Sequence, residues 1–249
     1  MTLDVNIEAL VKGGGREFRL AAEFSSSASS MVLFGPSGSG KTLTLMVLAG
    51  LLAPVRGHIK VCGRTLYDSA SGVDLPARER EMGLLFQDYA LFPHLTVRDN
   101  VAFGLRRRLF GFSRLTREQS ERVDELLDAC GIASLAGHRP HQISGGQRQR
   151  AALARALATE PRMLLLDEPF AALDQPLRAR MREELCRTRE RVGIPMVMVS
   201  HDPQDVDVFA DCLVAFGHGK VMETLDYTAR LAAGATSQSI LGPLFETAN

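Results

Sequence analysis

A glycine-rich segment that ends in lysine and threonine is the clearest candidate for chemistry in the chain. It fits the pattern G-x-x-x-x-G-K-[ST] and consists of Gly35, Pro36, Ser37, Gly38, Ser39, Gly40, Lys41 and Thr42. In such a segment, backbone N–H groups curl around phosphate oxygens, the lysine reaches the outer phosphates and the threonine hydroxyl binds Mg2+. A structural turn is the alternative, but chance produces this pattern in only about one chain in a hundred of this length.

Two adjacent carboxylates supply a second chemical feature. Asp167 and Glu168 follow an apolar strand predicted at Met163 to Leu166. At a strand end near a phosphate-binding loop, Asp167 would help to position Mg2+ and Glu168 would polarise a water molecule. Acids after an apolar run usually mark only a strand leaving the core, so the motif is weak alone. Together with the glycine-rich loop it indicates nucleotide hydrolysis.

A third motif lies directly at the start of a strong helical pattern. Its residues are Ser144, Gly145, Gly146 and Gln147. The serine, the glycine N–H groups and the positive helix end form a second phosphate-binding surface, although one nucleotide does not need two. A helix N-cap is the alternative interpretation, but a cap would explain only the serine.

Composition limits the classes of partner. Lysine plus arginine equals aspartate plus glutamate, at 29 each, so no global positive field holds nucleic acid or an anionic bilayer. The N-terminus lacks the order of a secretory signal, and no apolar run reaches the roughly 18 residues of a membrane-spanning helix. We expect a chain that stays inside the cell, does not span the membrane and binds no nucleic acid.

The elements that position these motifs alternate between strands and helices. Around the glycine-rich loop we predict a strand at Met31–Phe34 and a helix at Lys41–Leu52. Residues 3 to 24 read as two short strands joined by a turn at Gly13 to Gly15. Further buried strands are predicted at Met82–Phe86, Met196–Val199 and Asp211–Phe216, with a helix at Gln175–Val192. This alternation predicts an α/β fold with a parallel sheet.

A long segment, about residues 88–158, interrupts that alternation. It contains helical patterns at Val97–Arg108, Arg117–Ala129 and Gly145–Thr159. We interpret it as a helical subdomain inserted into the α/β core.

The four cysteines are widely spaced without a CxxC pair, which favours reduced structural thiols.

The sequence Ile143-Ser-Gly-Gly-Gln147 resembles the signature motif of the ABC ATPase family, and motifs from Gly35 to His201 occur in that family's order and spacing. The resemblance implies a P-loop NTPase fold, a RecA-like parallel core with N-terminal antiparallel strands and an inserted helical subdomain. It identifies Gln87 with the Q-loop glutamine that senses Mg2+, Asp174 with the D-loop that bridges two subunits, and His201 with the switch histidine that contacts the γ-phosphate.

The family resemblance also implies cofactors and partners. ATP and Mg2+ would lie between the Gly35–Thr42 loop of one subunit and the Ser144–Gln147 motif of a second copy. The dimer would sit on a membrane permease at the cytoplasmic face of the plasma membrane and respond indirectly to a solute-binding protein. Residues 1–225 would form the ATPase domain, and residues 226–249 a short C-terminal tail.

One position departs from the family pattern. The family stacks adenine on an aromatic residue in the N-terminal strands, but this sequence has Lys12 near that position. Phe18 is a candidate substitute, although an aromatic residue in an edge strand is more often part of the core. Adenine preference is therefore less well supported than phosphate binding.

The transported solute is predicted from resemblance alone. The stretches from Leu66 to Pro76 and from Met82 to His94 look most like molybdate-import ATPases, while sulfate, iron and polyamine importers share much of the second stretch. Molybdate importers commonly carry a further regulatory domain of roughly a hundred residues, whereas here only a short tail follows Glu223. This departure either weakens the assignment to molybdate import or means that regulation by bound oxyanion has been lost.

Three other functions compete with transport. A DNA-repair or chromosome-structure ATPase would need long heptad-bearing coiled coils, which are absent. A translation-type factor would carry both loops twice. A regulatory module that binds ATP without turnover is a different class, against which Glu168 and His201 argue.

Overall fold

The computed structural model describes residues 2–13, 16–105, 114–171, 173 and 175–246. The chain divides into two compact units, which are Met1–Arg80 with Pro195–Asn249, and Glu81–Ile194. Three sequence predictions lie at least partly outside the described residues: the turn at Gly14 and Gly15, the end of the helix predicted to reach Arg108, and Asp174.

The first unit contains nine strands and four helices among its described residues. The strands are β1 (Leu3–Gly13), β2 (Arg16–Ser26), β3 (Ser30–Phe34), β4 (Arg56–Val61), β5 (Arg64–Asp68), β6 (Val73–Asp74), β9 (Met196–Ser200), β10 (Cys212–Gly217) and β11 (Lys220–Asp226). The α-helices are α1 (Lys41–Leu48), α6 (Pro203–Phe209), α7 (Tyr227–Ala232) and α8 (Ser237–Glu246), and a short 3-10 helix spans Ala77–Glu79.

These strands follow the order β6-β5-β4-β1-β2-β11-β10-β3-β9. The pairs on the β6 side, through β2, are antiparallel, whereas β10, β3 and β9 run parallel to one another. Every residue of β3 and β9 is buried, which accounts for their unbroken apolar sequences, since parallel strands are covered on both faces. The predicted parallel core with antiparallel N-terminal strands is confirmed.

Helix α1 is shorter than predicted because Gly50 terminates it. Gly50 has a φ of 74°, and its N–H donates to Val47 O while Leu51 N–H donates to Met46 O. These two bonds form a Schellman motif, which ends a helix at a left-handed glycine. The prediction that the helix continues to Leu52 was therefore wrong, because the stop signal was Gly50 and not the later proline.

A buried arginine also holds the end of α1. The Arg80 guanidinium donates to Val47 O at 2.6 Å, Leu48 O at 3.0 Å and Leu75 O at 2.8 Å. It pairs with Asp74 at 3.0 Å, while its own side chain is 1% exposed. Burial lowers the pKa of Arg80 and Asp74 opposes that shift, but arginine remains charged in proteins. Arg80 thus gives Leu48 O a donor and gives Val47 O a second donor beside the Gly50 N–H.

Helix α7 contacts α6 through a tyrosine. Tyr227 is fully buried, and its hydroxyl donates to Asp207 Oδ1 at 2.6 Å. Burial, together with this hydrogen bond, raises the pKa of Tyr227 to about 12, so the hydroxyl stays a donor over the physiological pH range. Within the predicted C-terminal tail, the described residues form α7 and α8.

The second unit contains two strands and four α-helices among its described residues. They are β7 (Met82–Leu85), α2 (Val97–Ala102), α3 (Arg117–Ala129), α4 (Gly145–Ala158), β8 (Met163–Asp167) and α5 (Gln175–Val192). Short 3-10 helices span Phe103–Leu105, Ala133–Leu135 and Pro140–Gln142. Strands β7 and β8 are parallel, and helices α2, α3 and α4 pack together. The helices predicted at Arg117–Ala129 and Gln175–Val192 have their predicted bounds.

No helix within the described residues is long and apolar enough to cross a bilayer.

We predict that Arg80→Met destabilises the protein by about 3 kcal/mol, because it removes a buried guanidinium and its hydrogen bonds to Val47 O, Leu48 O and Leu75 O. For a chain of this size, Tm should fall by roughly 6–12 °C, measurable by thermal unfolding. Arg78→Met is the matched control, since that side chain is 83% exposed and should change stability by less than about 0.5 kcal/mol. Equal Tm values for the two variants would contradict the assigned role.

Candidate functional site

The glycine-rich loop connects the buried strand β3 directly to helix α1. Gly40 has a φ of 103°, and a Cβ atom added there would lie 2.8 Å from Leu20 Cδ1. Both the backbone conformation and the close approach therefore require glycine at this position. The loop residue Ser39 is buried, while Ser37 and Gly38 are exposed, so the outer part of the loop is accessible to a ligand.

Lys41 is folded into this loop. Lys41 is only 4% exposed. Its Nζ donates to Gly35 O and Pro36 O, each at 2.8 Å. The loop therefore curls around an ammonium group at the start of α1. The first turn of α1 carries no acidic residue, and Thr42 is exposed. Positive charge, a helix N-terminus and the absence of nearby carboxylates on that turn together fit a phosphate group.

His201 lies beside the loop because the strands before them are neighbours. Phe34 of β3 pairs with Ser200 of β9 in parallel register, so Gly35 and His201 both follow the carboxyl ends of adjacent strands. His201 itself is exposed. Ligands of α/β proteins bind at this edge of a parallel sheet, and the first unit thus brings His201 to the phosphate-loop edge.

A buried network fixes the turn that carries His201. Ser200 Oγ donates to Asp205 Oδ2 at 2.5 Å and accepts from Asp202 N–H at 3.0 Å. The Asp202 carboxylate in turn caps α6 by accepting from Gln204 N–H at 2.9 Å. Sequence reasoning missed Ser200 and Asp205; the only available signal was an acid placed four residues after the histidine on a helix capped by aspartate.

Phe18 lies next to the phosphate loop. Its ring atoms are 3.4 and 3.5 Å from the Cβ position of Gly40 and 3.3 Å from that of Gly219, and the residue is half-buried. Lys12 is different, because its side chain is 74% exposed and pairs weakly with Glu17 at 4.0 Å. An aromatic face at the loop is therefore provided by Phe18 and not by the residue at position 12.

The second unit collects the other three hydrolytic candidates at one strand edge. Leu85 of β7 pairs with Leu166 of β8 in parallel register. Gln87 lies two residues after Leu85 and Glu168 two residues after Leu166, so both follow the carboxyl ends of the paired strands. Asp167 is 6% exposed, Glu168 is half-buried and Gln87 is exposed. An amide and two carboxylates placed together in this way are oxygen ligands suited to Mg2+ and to a water molecule.

Glu168 occupies an unusual backbone conformation. Its φ is 43°, in the left-handed region that costs a non-glycine residue about 1–3 kcal/mol. A turn bond from Ala171 N–H to Glu168 O, at 3.2 Å, holds this conformation. Strained residues of this kind concentrate at functional sites, so the strain supports a role for Glu168 beyond ending a strand.

Ser144 is the N-cap of helix α4. Its hydroxyl accepts from Gln147 N–H at 3.3 Å, and the Gln147 side chain accepts from Ser144 N–H at 2.8 Å. These reciprocal bonds are a capping box, so the expectation that capping explains only the serine was wrong: it explains the glutamine too. Gly146 is also accounted for by packing, since an added Cβ would lie 3.3 Å from Leu177 and 3.4 Å from Met181 of α5.

The helix start nevertheless has the properties of an anion site. Ser144 is exposed, and the first turn of α4 carries no acidic residue. The helix start that follows Gly40 in the first unit and the one at Ser144 in the second are therefore both suited to phosphate. Asp174 lies outside the described residues, so its assignment remains a prediction.

A family model described as ABC transporter matches residues 24–171. The chain belongs to this family and is one of its ATP-binding domains. The match runs from the end of β2 through the phosphate loop, helices α2, α3 and α4, and the acid pair.

Curated relatives of this ABC domain are import ATP-binding proteins. It is 42% identical over 205 residues to a molybdenum import ATP-binding protein of Paramagnetospirillum magneticum, covering 82% of this chain and 55% of the relative. It is 46% identical over 192 residues to a sulfate/thiosulfate import ATP-binding protein of Chromobacterium violaceum, and the match covers 77% of this chain and 50% of that relative. Other relatives are named for import of Fe(3+) ions and of trehalose/maltose. The chain thus spans about half the length of the curated relatives it matches.

A solved structure matches the ABC domain over most of its length. It is the ATP-binding cassette MJ0796, a dimer in a post-hydrolysis state bound to ADP and Pi, with a TM-score of 0.74 and 28% sequence identity. The match covers 91% of this chain and 98% of MJ0796. This similarity confirms the predicted ABC cassette fold.

Proposed function

We propose that the chain is the ATP-hydrolysing subunit of an ABC importer, which dimerises head to tail to drive solute uptake through a separate permease. The observation that carries this proposal is the placement of His201 beside the Lys41 loop, at the ends of paired strands. A loop that only bound nucleotide would not need a second polar side chain at the position of the terminal phosphate. Residues 1–225 form the ATPase domain in this proposal, with a helical subdomain at about 88–158 and a tail at 226–249.

The residues at the phosphates bind and orient the nucleotide. Backbone N–H groups from Gly38 to Lys41 and the Lys41 ammonium hold the β- and γ-phosphates. On binding, the ammonium gives up its hydrogen bonds to Gly35 O and Pro36 O and donates to phosphate oxygens instead. Thr42, Asp167 and Gln87 would hold Mg2+ through their side-chain oxygens. Mg2+, when bound, neutralises charge on the phosphate oxygens.

Glu168 and His201 act on the water and the terminal phosphate. Glu168 orients and polarises the attacking water, and His201 donates to the γ-phosphate. Phosphoryl transfer involves little covalent chemistry on the protein, so positioning supplies most of the rate. The bonds from Ser200 to Asp205 and Asp202 serve this role by fixing the backbone at His201.

The second donor surface belongs to a neighbouring copy. Ser144, Gly145, Gly146 and Gln147 of one subunit bind the nucleotide held by the Gly35–Thr42 loop of its partner, and Asp174 lies at the contact between subunits. The dimeric MJ0796 structures, one of them with ADP and Pi, support this arrangement. The dimer sits on permease subunits at the cytoplasmic face of the membrane and senses a solute-binding protein indirectly. Nucleic acid is not a partner.

Molybdate is the solute that we propose first. The resemblance of residues 66–76 and 82–94 to molybdate importers supports it, as does a relative named for molybdenum import. Relatives named for sulfate/thiosulfate and Fe(3+) import have similar identity, so sulfate and iron are the competing cargoes, with polyamines after them.

For hydrolysis, we predict that Glu168→Gln lowers the rate of phosphate release by about 100-fold or more, the usual contribution of a positioned general base. Because ATP remains intact, the variant should accumulate as a dimer in Mg-ATP, measurable by size-exclusion chromatography. The matched control is Glu160→Gln, an exposed change outside the site. Unchanged hydrolysis in Glu168→Gln would refute the assigned role, and a variant that stays monomeric at saturating ATP would contradict the dimer.

For adenine recognition, we predict that Phe18→Ala weakens ATP binding by about tenfold, because one base–aromatic stack contributes roughly 1–3 kcal/mol. Binding of inorganic tripolyphosphate should not change, since it has no base. Isothermal titration of both ligands measures this, with Lys12→Ala as the control. Equal weakening of both ligands would mean that Phe18 acts through its packing on Gly40 and not through adenine.

Cargo is tested with the subunit co-purified with its membrane partner and solute-binding protein. ATPase stimulation is compared for molybdate, tungstate, sulfate and iron. We expect molybdate and tungstate alone to stimulate. Stimulation by sulfate or iron instead would overturn the cargo and leave the ATPase mechanism intact.

A further inference from the structure

The loop that follows Gln87 contains two consecutive residues in a left-handed conformation. Tyr89 has a φ of 64° and Ala90 a φ of 42°, a region that non-glycine residues seldom adopt. Tyr89 N–H donates to Phe86 O at 2.9 Å and closes a turn with Gln87 inside it. Such a conformation persists only where surrounding groups hold it, and it determines how the turn presents Gln87.

Helix α4 supplies the group that holds this turn. Arg155 Nη1 donates to Ala90 O at 2.6 Å, and Nη2 donates to Tyr89 O at 2.8 Å. The guanidinium carbon also lies 5.8 Å from the centre of the Phe92 ring. One planar fork therefore spans the carbonyls of both strained residues, a geometry that arginine has and lysine lacks.

A second helix fixes the other end of the loop. Asn100 of α2 is fully buried, accepts from Phe92 N–H at 2.8 Å and donates to Phe92 O at 3.1 Å and Thr96 O at 3.0 Å. The Tyr89 hydroxyl is buried without a hydrogen-bond partner among the described residues. The strained turn is thus held through its backbone carbonyls by Arg155, not through the tyrosine hydroxyl.

We propose that Arg155 is a positioning residue that joins the last turn of helix α4 to the loop carrying Gln87, so that Ser144, at the start of the same helix, and Gln87 move as one body. Ser144 caps the helix eleven residues before Arg155, about 16 Å along its axis. A helix is stiff over that length, so a displacement of Ser144 by a partner's nucleotide reaches the carbonyls of Tyr89 and Ala90. This coupling rests on the proposed function, which places Ser144 and Gln87 at nucleotides.

The first test measures the loop itself by hydrogen exchange of the purified chain. The Tyr89 and Phe92 amide protons are both hydrogen-bonded, so their exchange reports opening of the loop. In Arg155→Lys we expect exchange across residues 88–92 to rise by about tenfold or more, because lysine lacks the two fixed guanidinium nitrogens that donate separately to the Tyr89 and Ala90 carbonyls. Peptides of α3 and α4 should exchange as in the unchanged protein.

Arg117→Lys is the matched control, since the Arg117 side chain is 91% exposed and pairs with Glu121 one turn further along the same helix. It should leave exchange of residues 88–92 unchanged. Unchanged loop exchange in Arg155→Lys would overturn the proposal. An equal rise along the whole of α4 would also overturn it, because it would show that Arg155 stabilises the helix and not the loop.

The second test is steady-state hydrolysis of Mg-ATP. If Arg155 positions Gln87, Arg155→Lys should lower kcat by about tenfold and leave KM for ATP within about twofold, because the phosphate-binding groups are unchanged. A raised KM with unchanged kcat would contradict the positioning role. Absence of hydrolysis in the unchanged protein would refute the proposed function instead, and the exchange experiment would still test the Arg155 contact.

Discussion

Binding of a polyphosphate by backbone N–H groups at a helix start is the interaction on which the rest of this molecule depends. Such a site needs a helix N-terminus that approaches the ligand closely and a first turn free of carboxylates. The first turns of helix α1, after Gly40, and of helix α4, at Ser144, carry no acidic residue. The strands, packing glycines and caps around both helices hold these two starts in defined positions.

Strain and arginine braces accompany these sites. Glu168, Tyr89 and Ala90 all have positive φ values, and each lies within a few residues of a strand end that carries a candidate ligand. Arg80 supports the end of the phosphate-loop helix, whereas Arg155 supports the turn that contains Gln87. In both cases a partly or fully buried guanidinium satisfies backbone carbonyls, a role for which its several fixed donors are suited.

Sequence reasoning located the motifs because each combines a distinctive composition with a simple local element. The loop from Gly35 to Thr42 lies between an apolar strand and a helix, and the helix at Gln175–Val192 has a long uninterrupted pattern. The strands β4, β5 and β11 were not predicted, because they are partly exposed and lack clear apolar alternation. Antiparallel strands of that kind are stabilised by pairing with neighbours, which local sequence does not reveal.

The supporting groups were harder to predict than the motifs. Arg80 and Arg155 contact backbone carbonyls far away in sequence. Every residue has a backbone carbonyl, so the identity of the accepting residue does not reveal such a contact. Ser200 and Asp205 are ordinary polar residues until the turn at His201 brings them together. The interpretation of Ser144 failed in part for a related reason, since the capping role of Gln147 requires knowing where the helix begins.

The central claim is that one nucleotide is shared between the Lys41 loop of one subunit and the Ser144 motif of another. The most direct test measures two properties of the variants Ser144→Arg and Lys41→Ala. The first is equilibrium ATP binding at protein concentrations where the chain is monomeric. The second is dimer formation when each change is made in a Glu168→Gln background. We expect Ser144→Arg to bind ATP like the unchanged monomer but not to dimerise, and Lys41→Ala to lose ATP binding. Loss of ATP binding to the same extent in both variants would contradict the shared site.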